Sequence, residues 1–145
     1  MAEQIGTNNI NKLSLLPANS FENDRSTASS TLVFKVPTDG IFTVSFIIAS
    51  SMAVGNAGEI YVATISRSTS GVLSAKLKSL LPGTSLNLKY KINSDKSVDV
   101  VKYRSQYSPV IGCLILSGNR FVTNLTTDIS DSEIDDTFIG FTEVE

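Results

Sequence analysis

Five carboxylates fall within nine residues near the C-terminal end: Asp128, Asp131, Glu133, Asp135 and Asp136. Clustered acids supply the several hard oxygen ligands that Ca²⁺ takes, and calcium is the one metal this chain suggests. Their spacing lacks the Asp-x-Asp-x-Asp-Gly order of an EF-hand, so a solvated acidic loop accounts for the same residues. Paired carboxylates also serve glycosidases. That chemistry needs a substrate groove, and the sequence offers no obvious aromatic platform to line one.

Other reactive groups are few. The chain has no His, no Trp and one Cys. Without imidazole, His-based nucleophilic triads are excluded, together with most zinc and copper sites. A single Cys excludes an internal disulfide and a thiolate cluster. Cys113 lies between Gly112 and Leu114 in the most apolar run, where a packed core residue is expected. Tyr90, Tyr103 and Tyr107, with Lys89, Lys91 and Lys102, can form a binding face on one hairpin, although strand amphipathicity places the same residues. Asn124-Leu125-Thr126 fits the N-glycosylation pattern by chance. The expectation is a protein without catalysis and without a cofactor, calcium excepted.

The elements that must position these groups belong to a chain of 145 residues, room for one domain. Net charge is −2, which does not suggest a nucleic-acid partner. The charge is unevenly spread. Seven acids and no Lys or Arg follow from Asp128 onward, so the 12 basic residues against the remaining acids leave the rest at +5. The opening Met-Ala-Glu-Gln-Ile has neither a basic nor an apolar signal region, and no apolar run approaches a bilayer span. A chain made in the cytoplasm without export, and without membrane insertion, is expected.

Residues 1–30 are rich in Asn, Ser and Thr. They are expected to form a polar arm, either loose or serving attachment, with Ile10, Leu13 and Leu16 along one side of a short helix. From residue 31 the pattern becomes strand after strand. Leu32, Phe34 and Val36 alternate, and Pro37-Thr38-Asp39-Gly40 makes a turn. The next run, 41–48, carries apolar residues on both parities. Strands are expected at 59–66, 72–77 and 86–92, the last closed by Ser94-Asp95-Lys96 into a hairpin that sets Ile92 opposite Val98 and Tyr90 opposite Val100. A β-bulge at Val100-Val101 restores the face beyond it. Residues 110–116 should be a central strand, with 121–125 and 137–144 the last two. Many short strands with frequent turns and no long helix indicate an all-β jelly-roll or β-sandwich domain over 31–145.

Three segments resemble the jelly-roll heads of the first complement component and of the tumour necrosis factor superfamily. They are Phe34-Lys35-Val36-Pro37-Thr38-Asp39-Gly40-Ile41-Phe42-Thr43-Val44-Ser45-Phe46, Leu116-Ser117-Gly118-Asn119-Arg120-Phe121-Val122, and Asp136-Thr137-Phe138-Ile139-Gly140-Phe141. The resemblance implies a jelly roll that packs as a homotrimer, its last strand near the axis. Trimer packing is therefore expected at Ile41, Thr43, Ile47, Phe138 and Phe141. The expected function is a structural or adhesive virion component, such as a phage fibre tip, head fibre or capsid decoration, found on the virion or outside the cell after lysis. Its partners would be other copies of itself and, through the arm, another virion protein or a cell-surface receptor. A free-standing glycan- or protein-binding module is the alternative.

Overall fold

The alternating pattern becomes a set of short strands in the computed structural model, which describes residues 20–24, 30–51, 59–80, 88–102, 110–123 and 127–144. In chain order they are β1 (Ser20–Asp24), β2 (Ser30–Val36), β3 (Phe42–Ser51), β4 (Glu59–Arg67), β5 (Leu73–Ser79), β6 (Leu88–Ile92), β7 (Val98–Lys102), β8 (Val110–Ser117), β9 (Thr127–Ile129), β10 (Ile139–Gly140) and β11 (Thr142–Glu143). Two 3₁₀ turns, Asn119–Phe121 and Asp131–Glu133, are the helical structure among the described residues.

The strands form two sheets, one ordered β1-β8-β3-β4-β5-β11 and the other β10-β6-β7-β2-β9. In the first, β3, β4 and β5 run as an antiparallel meander and β8 returns beside β3, the order of a Greek key. The chain is all-β and two-sheeted, as a sandwich requires. In the longer strands the apolar parity turns inward. Phe42, Val44, Phe46 and Ile48 of β3 and Tyr61, Ala63 and Ile65 of β4 meet Val33, Phe34, Val36, Leu88, Val98 and Val100 of the other sheet. Phe34 and Phe46 join the layers edge to face, with ring centroids 5.0 Å apart. Such a pair adds about 1 kcal/mol beyond the area it buries.

The outward parity of β3 is not core. Thr43 is exposed, while Ser45, Ile47 and Ala49 are half-buried. Ile47 has Val62 on one flank and Leu114 on the other. Likewise β8 turns Cys113 and Ile115 inward and leaves Leu116 exposed, so this strand is buried on one face rather than two.

The structure relocates several expected features. The β6–β7 hairpin has the expected register, Ile92 with Val98 and Tyr90 with Val100. The bulge lies at the expected level of the ladder but on the partner strand. Leu32 pairs with Val101 and Phe34 with Val100, so the extra residue is Val33 of β2. This explains how both Val33 and Phe34 are buried although they are adjacent. Residues 20–24 of the expected arm pair with β8 at the edge of the first sheet, and Ser30 opens β2. The helix expected around Ile10, Leu13 and Leu16 lies outside the described residues.

The expected last strand is two short ones. Ile139 and Gly140 pair with β6 in the second sheet, whereas Thr142 and Glu143 run parallel to β5 in the first. Between them Phe141 is 5% exposed and packs edge to face on Phe46 and Tyr90. Phe138 is also buried, with the Lys91 ammonium over its ring. Phe141 belongs to the chain's own core cluster, whereas Phe138 is buried outside that cluster. A chain crossing between sheets anchors itself by its bulkiest apolar groups. No helix among the described residues is long and apolar enough to cross a membrane.

Candidate functional site

One end of the sandwich gathers the connections at 37–41, 68–72, 93–97 and 118–121. Arg67, the last residue of β4, ties three of its neighbours together. Its guanidinium donates to the carbonyls of Thr38 (3.2 Å), Gly40 (3.3 Å) and Lys96 (2.6 Å), and it lies over the ring of Phe42, 5.5 Å from the centroid. At 6% exposure this is a buried cation held by backbone dipoles. Lys96, whose carbonyl accepts the shortest of these bonds, has φ of 70°, a left-handed conformation that L-residues adopt at a cost. The hairpin is held from the other side by Asp95, which accepts from the backbone N–H (2.9 Å) and hydroxyl (2.6 Å) of Ser97.

Beside this clamp lies an open groove of about 450 Å³. Its floor is made where β8 leaves the first sheet. Gly118 has φ of 89°, and a Cβ there would collide with the carbonyl oxygen of Thr43. Only glycine lets the chain turn this close to β3. The turn then winds once as a 3₁₀ turn, with Phe121 N–H donating to Gly118 O (3.0 Å), and pairs Thr123 with Lys35 of the second sheet. The groove therefore sits at the end of the β3–β8 ladder, where the chain leaves the first sheet for the second.

Its walls are Ile41 and Thr43 on one side and Ser117, Asn119, Arg120 and Phe121 on the other. Phe121 leans on Phe42, with centroids 6.3 Å apart, and carries the Arg120 guanidinium 4.8 Å from its own centroid. The result is a hydroxyl- and amide-lined cleft with an aromatic ring and one cation. It can hold a polar ligand that also has an apolar face.

The residues singled out in the sequence are distributed differently. Ile41 and Thr43 line the groove, and Ile47 lies farther along the same outward face of β3. Tyr90 faces the core, while Tyr103 and Tyr107 lie outside the described residues. The tyrosine face is therefore not assembled at Tyr90.

Among the described residues, no three His, Cys, Asp or Glu side chains converge as metal ligands. Asp128 belongs to β9 and Asp131 to the following 3₁₀ turn. Glu133 and Asp136 are exposed. Asp135 spends its carboxylate locally, accepting from the backbone N–H and hydroxyl of Thr137 at 2.9 and 2.6 Å. These bonds, the hydroxyl's first, hold its pKa below the usual carboxylate range. Among the described residues, the acidic run does not gather into a group of metal ligands.

Burial pushes the Cys113 thiol up to about 12, so it stays protonated and inert in the core. The sequence alone did not place Ser117, Asn119 and Arg120 beside Ile41 and Thr43. Their signal was present in Gly118-Asn119, a turn that sends three polar or aromatic side chains to one place.

No family model and no curated protein matches the chain. Among solved structures it is similar to part of Pantoea stewartii WceF, with a TM-score of 0.58 and 14% identity. The match covers 89% of this chain and 22% of that one, so this chain spans about a fifth of the relative. WceF is described as a glycan biofilm modifying enzyme with a bacteriophage tailspike-like parallel beta-helix fold. The likeness is one of fold. It corrects the expectation that catalysis is excluded, because a region of this shape forms part of an enzyme. The physical reason is that missing His and Trp remove imidazole chemistry and one kind of stacking platform, whereas glycan chemistry needs only carboxylates and a groove.

Proposed function

We propose that the chain is a glycan-recognition module of a phage-type fibre or surface protein, and that the Gly118 groove is where sugar is held. The observation that carries this is the groove's composition. Thr43, Ser117 and Asn119 offer small hydrogen-bonding groups, while Ile41 and Phe121 offer apolar surface for the face of a sugar ring. The fold likeness to part of a tailspike-like, glycan-modifying protein supports the same reading. A glycan array followed by calorimetry on the best hits tests it. Binding that weakens about tenfold or more in Asn119→Ala and Phe121→Ala is expected, and a chain that binds no glycan would sink the idea.

The reading includes assembly, with a jelly-roll trimer as its finer form. The outward face of the first sheet presents Ile47 between Val62 and Leu114, aliphatic side chains half-exposed in the single chain. A second copy of this chain is the proposed cover for that face. Light scattering at micromolar concentration should give a multiple of the 15.6 kDa chain mass that falls to one in Ile47→Glu. A monomeric wild type removes this part of the proposal. A virion protein and a free-standing binding module differ in gene context: neighbours encoding head or tail proteins favour the first, and neighbours encoding sugar uptake favour the second.

A further inference from the structure

We infer that the groove selects anionic glycans, seating a sugar carboxylate on the guanidinium of Arg120; this rests on the glycan-recognition reading above. Arg120 is the one charged group lining the groove, and no carboxylate pairs with it among the described residues. Its exposed position contrasts with Lys35 on the second sheet, whose ammonium lies 2.9 Å from the Asp99 carboxylate. Nor is the guanidinium loose. It lies over the Phe121 ring at 4.8 Å, and Phe121 is itself braced against the buried Phe42. Stacking occupies the face of a guanidinium and leaves the N–H donors in its plane free. That is the arrangement which grips a carboxylate through two parallel bonds.

The surrounding groups fit the rest of such a sugar. Ser117 and Thr43 supply hydroxyls, and Asn119 an amide with both a donor and acceptor. A uronic acid presents a carboxylate at one edge and hydroxyls around the ring, with C–H groups on its faces. A neutral hexose fills the same groove but leaves Arg120 with water, so charge decides between them. The field of a cation with no carboxylate partner among the described residues also attracts an anionic polymer before contact.

The test is calorimetry of the full chain against uronate oligosaccharides from hyaluronan, alginate and polygalacturonate, each measured beside its carboxyl-reduced neutral form. At least one acidic member should bind about tenfold tighter than its reduced form. Arg120→Gln should erase that difference, and Arg120→Lys should keep only part of it, because an ammonium lacks the fork. Thermal melting of both variants should match the wild type, since the side chain is exposed. Equal affinity for acidic and reduced forms, or an acid preference that survives in Arg120→Gln, overturns the inference and leaves glycan recognition standing. Absence of binding to every member, acidic and neutral, overturns both.

Discussion

Two arginines lie at the same end of the sandwich, each over a phenylalanine ring, and their rings touch. Arg67 covers Phe42 at 5.5 Å, Arg120 covers Phe121 at 4.8 Å, and the two rings are 6.3 Å apart. The difference lies in where the N–H donors go. Arg67 is buried and gives its donors to three backbone carbonyls, which fixes the 37–41 turn and the 93–97 hairpin. Arg120 is exposed and keeps its donors for solvent or ligand. Identical chemistry thus becomes scaffold in one place and a recognition group in the other. Saturation of hydrogen bonds, rather than residue type, separates them.

That contrast can be broken in order of effect. Arg67→Met keeps bulk but leaves the carbonyls of Thr38, Gly40 and Lys96 without their donor. A loss of about 3 kcal/mol in urea unfolding is expected, and a loss under 1 kcal/mol would show that water replaces the clamp. Gly118→Ala forces a Cβ against the Thr43 carbonyl at a positive φ. It should destabilise the fold by about 2 kcal/mol and lower glycan binding too, because the groove floor must move.

Arg120→Gln should leave the melting temperature within about 1 °C, in line with the small effects of exposed substitutions. Its effect belongs to ligand binding alone. A large drop in melting temperature would mean that Arg120, like Arg67, is structural.

The smallest expected effect is a dependence on pH. The Ser97 hydroxyl, then its backbone N–H, lowers the Asp95 pKa below its ordinary 3.8. A depressed folded-state pKa gives stability that is present above the unfolded value and is lost as pH falls through the folded one. Wild type and Asp95→Ala should therefore differ at pH 5, and their urea midpoints should converge as pH falls below about 3.8. A gap that stays constant down to pH 2 would assign the variant's defect to something other than this carboxylate. The same behaviour is expected at Asp135, held by Thr137.

Much of the scaffold was legible because strand periodicity is local. Phe42, Val44, Phe46 and Ile48 announce an inward face by their spacing alone, and the pairing of Ile92 with Val98 follows from a short turn. The misplaced features all depend on a partner far along the chain. Val33 is the bulged residue because β2 must match β7, nearly seventy positions later, and either strand could have carried the extra residue. The 137–144 run looks like one strand by alternation. It divides because each half finds its ladder on a different sheet. The acidic run allowed either a solvated loop or a calcium site, and spacing alone could not choose. Proximity in sequence is not convergence, and Asp135 is satisfied by its own neighbour two residues on.

By itself the sequence determined that this chain is all-β, that its core comes from alternating aliphatic and aromatic residues, and that imidazole chemistry is absent. Those properties reside in residue type and short-range order. Only the tertiary structure decided which polar groups are left unsatisfied at the surface. Ile41 and Thr43 meet Asn119, Arg120 and Phe121 at the end of the β3–β8 ladder, although more than seventy residues separate them. A binding groove is a long-range juxtaposition, set by how the strands pack and by where Gly118 lets the backbone turn.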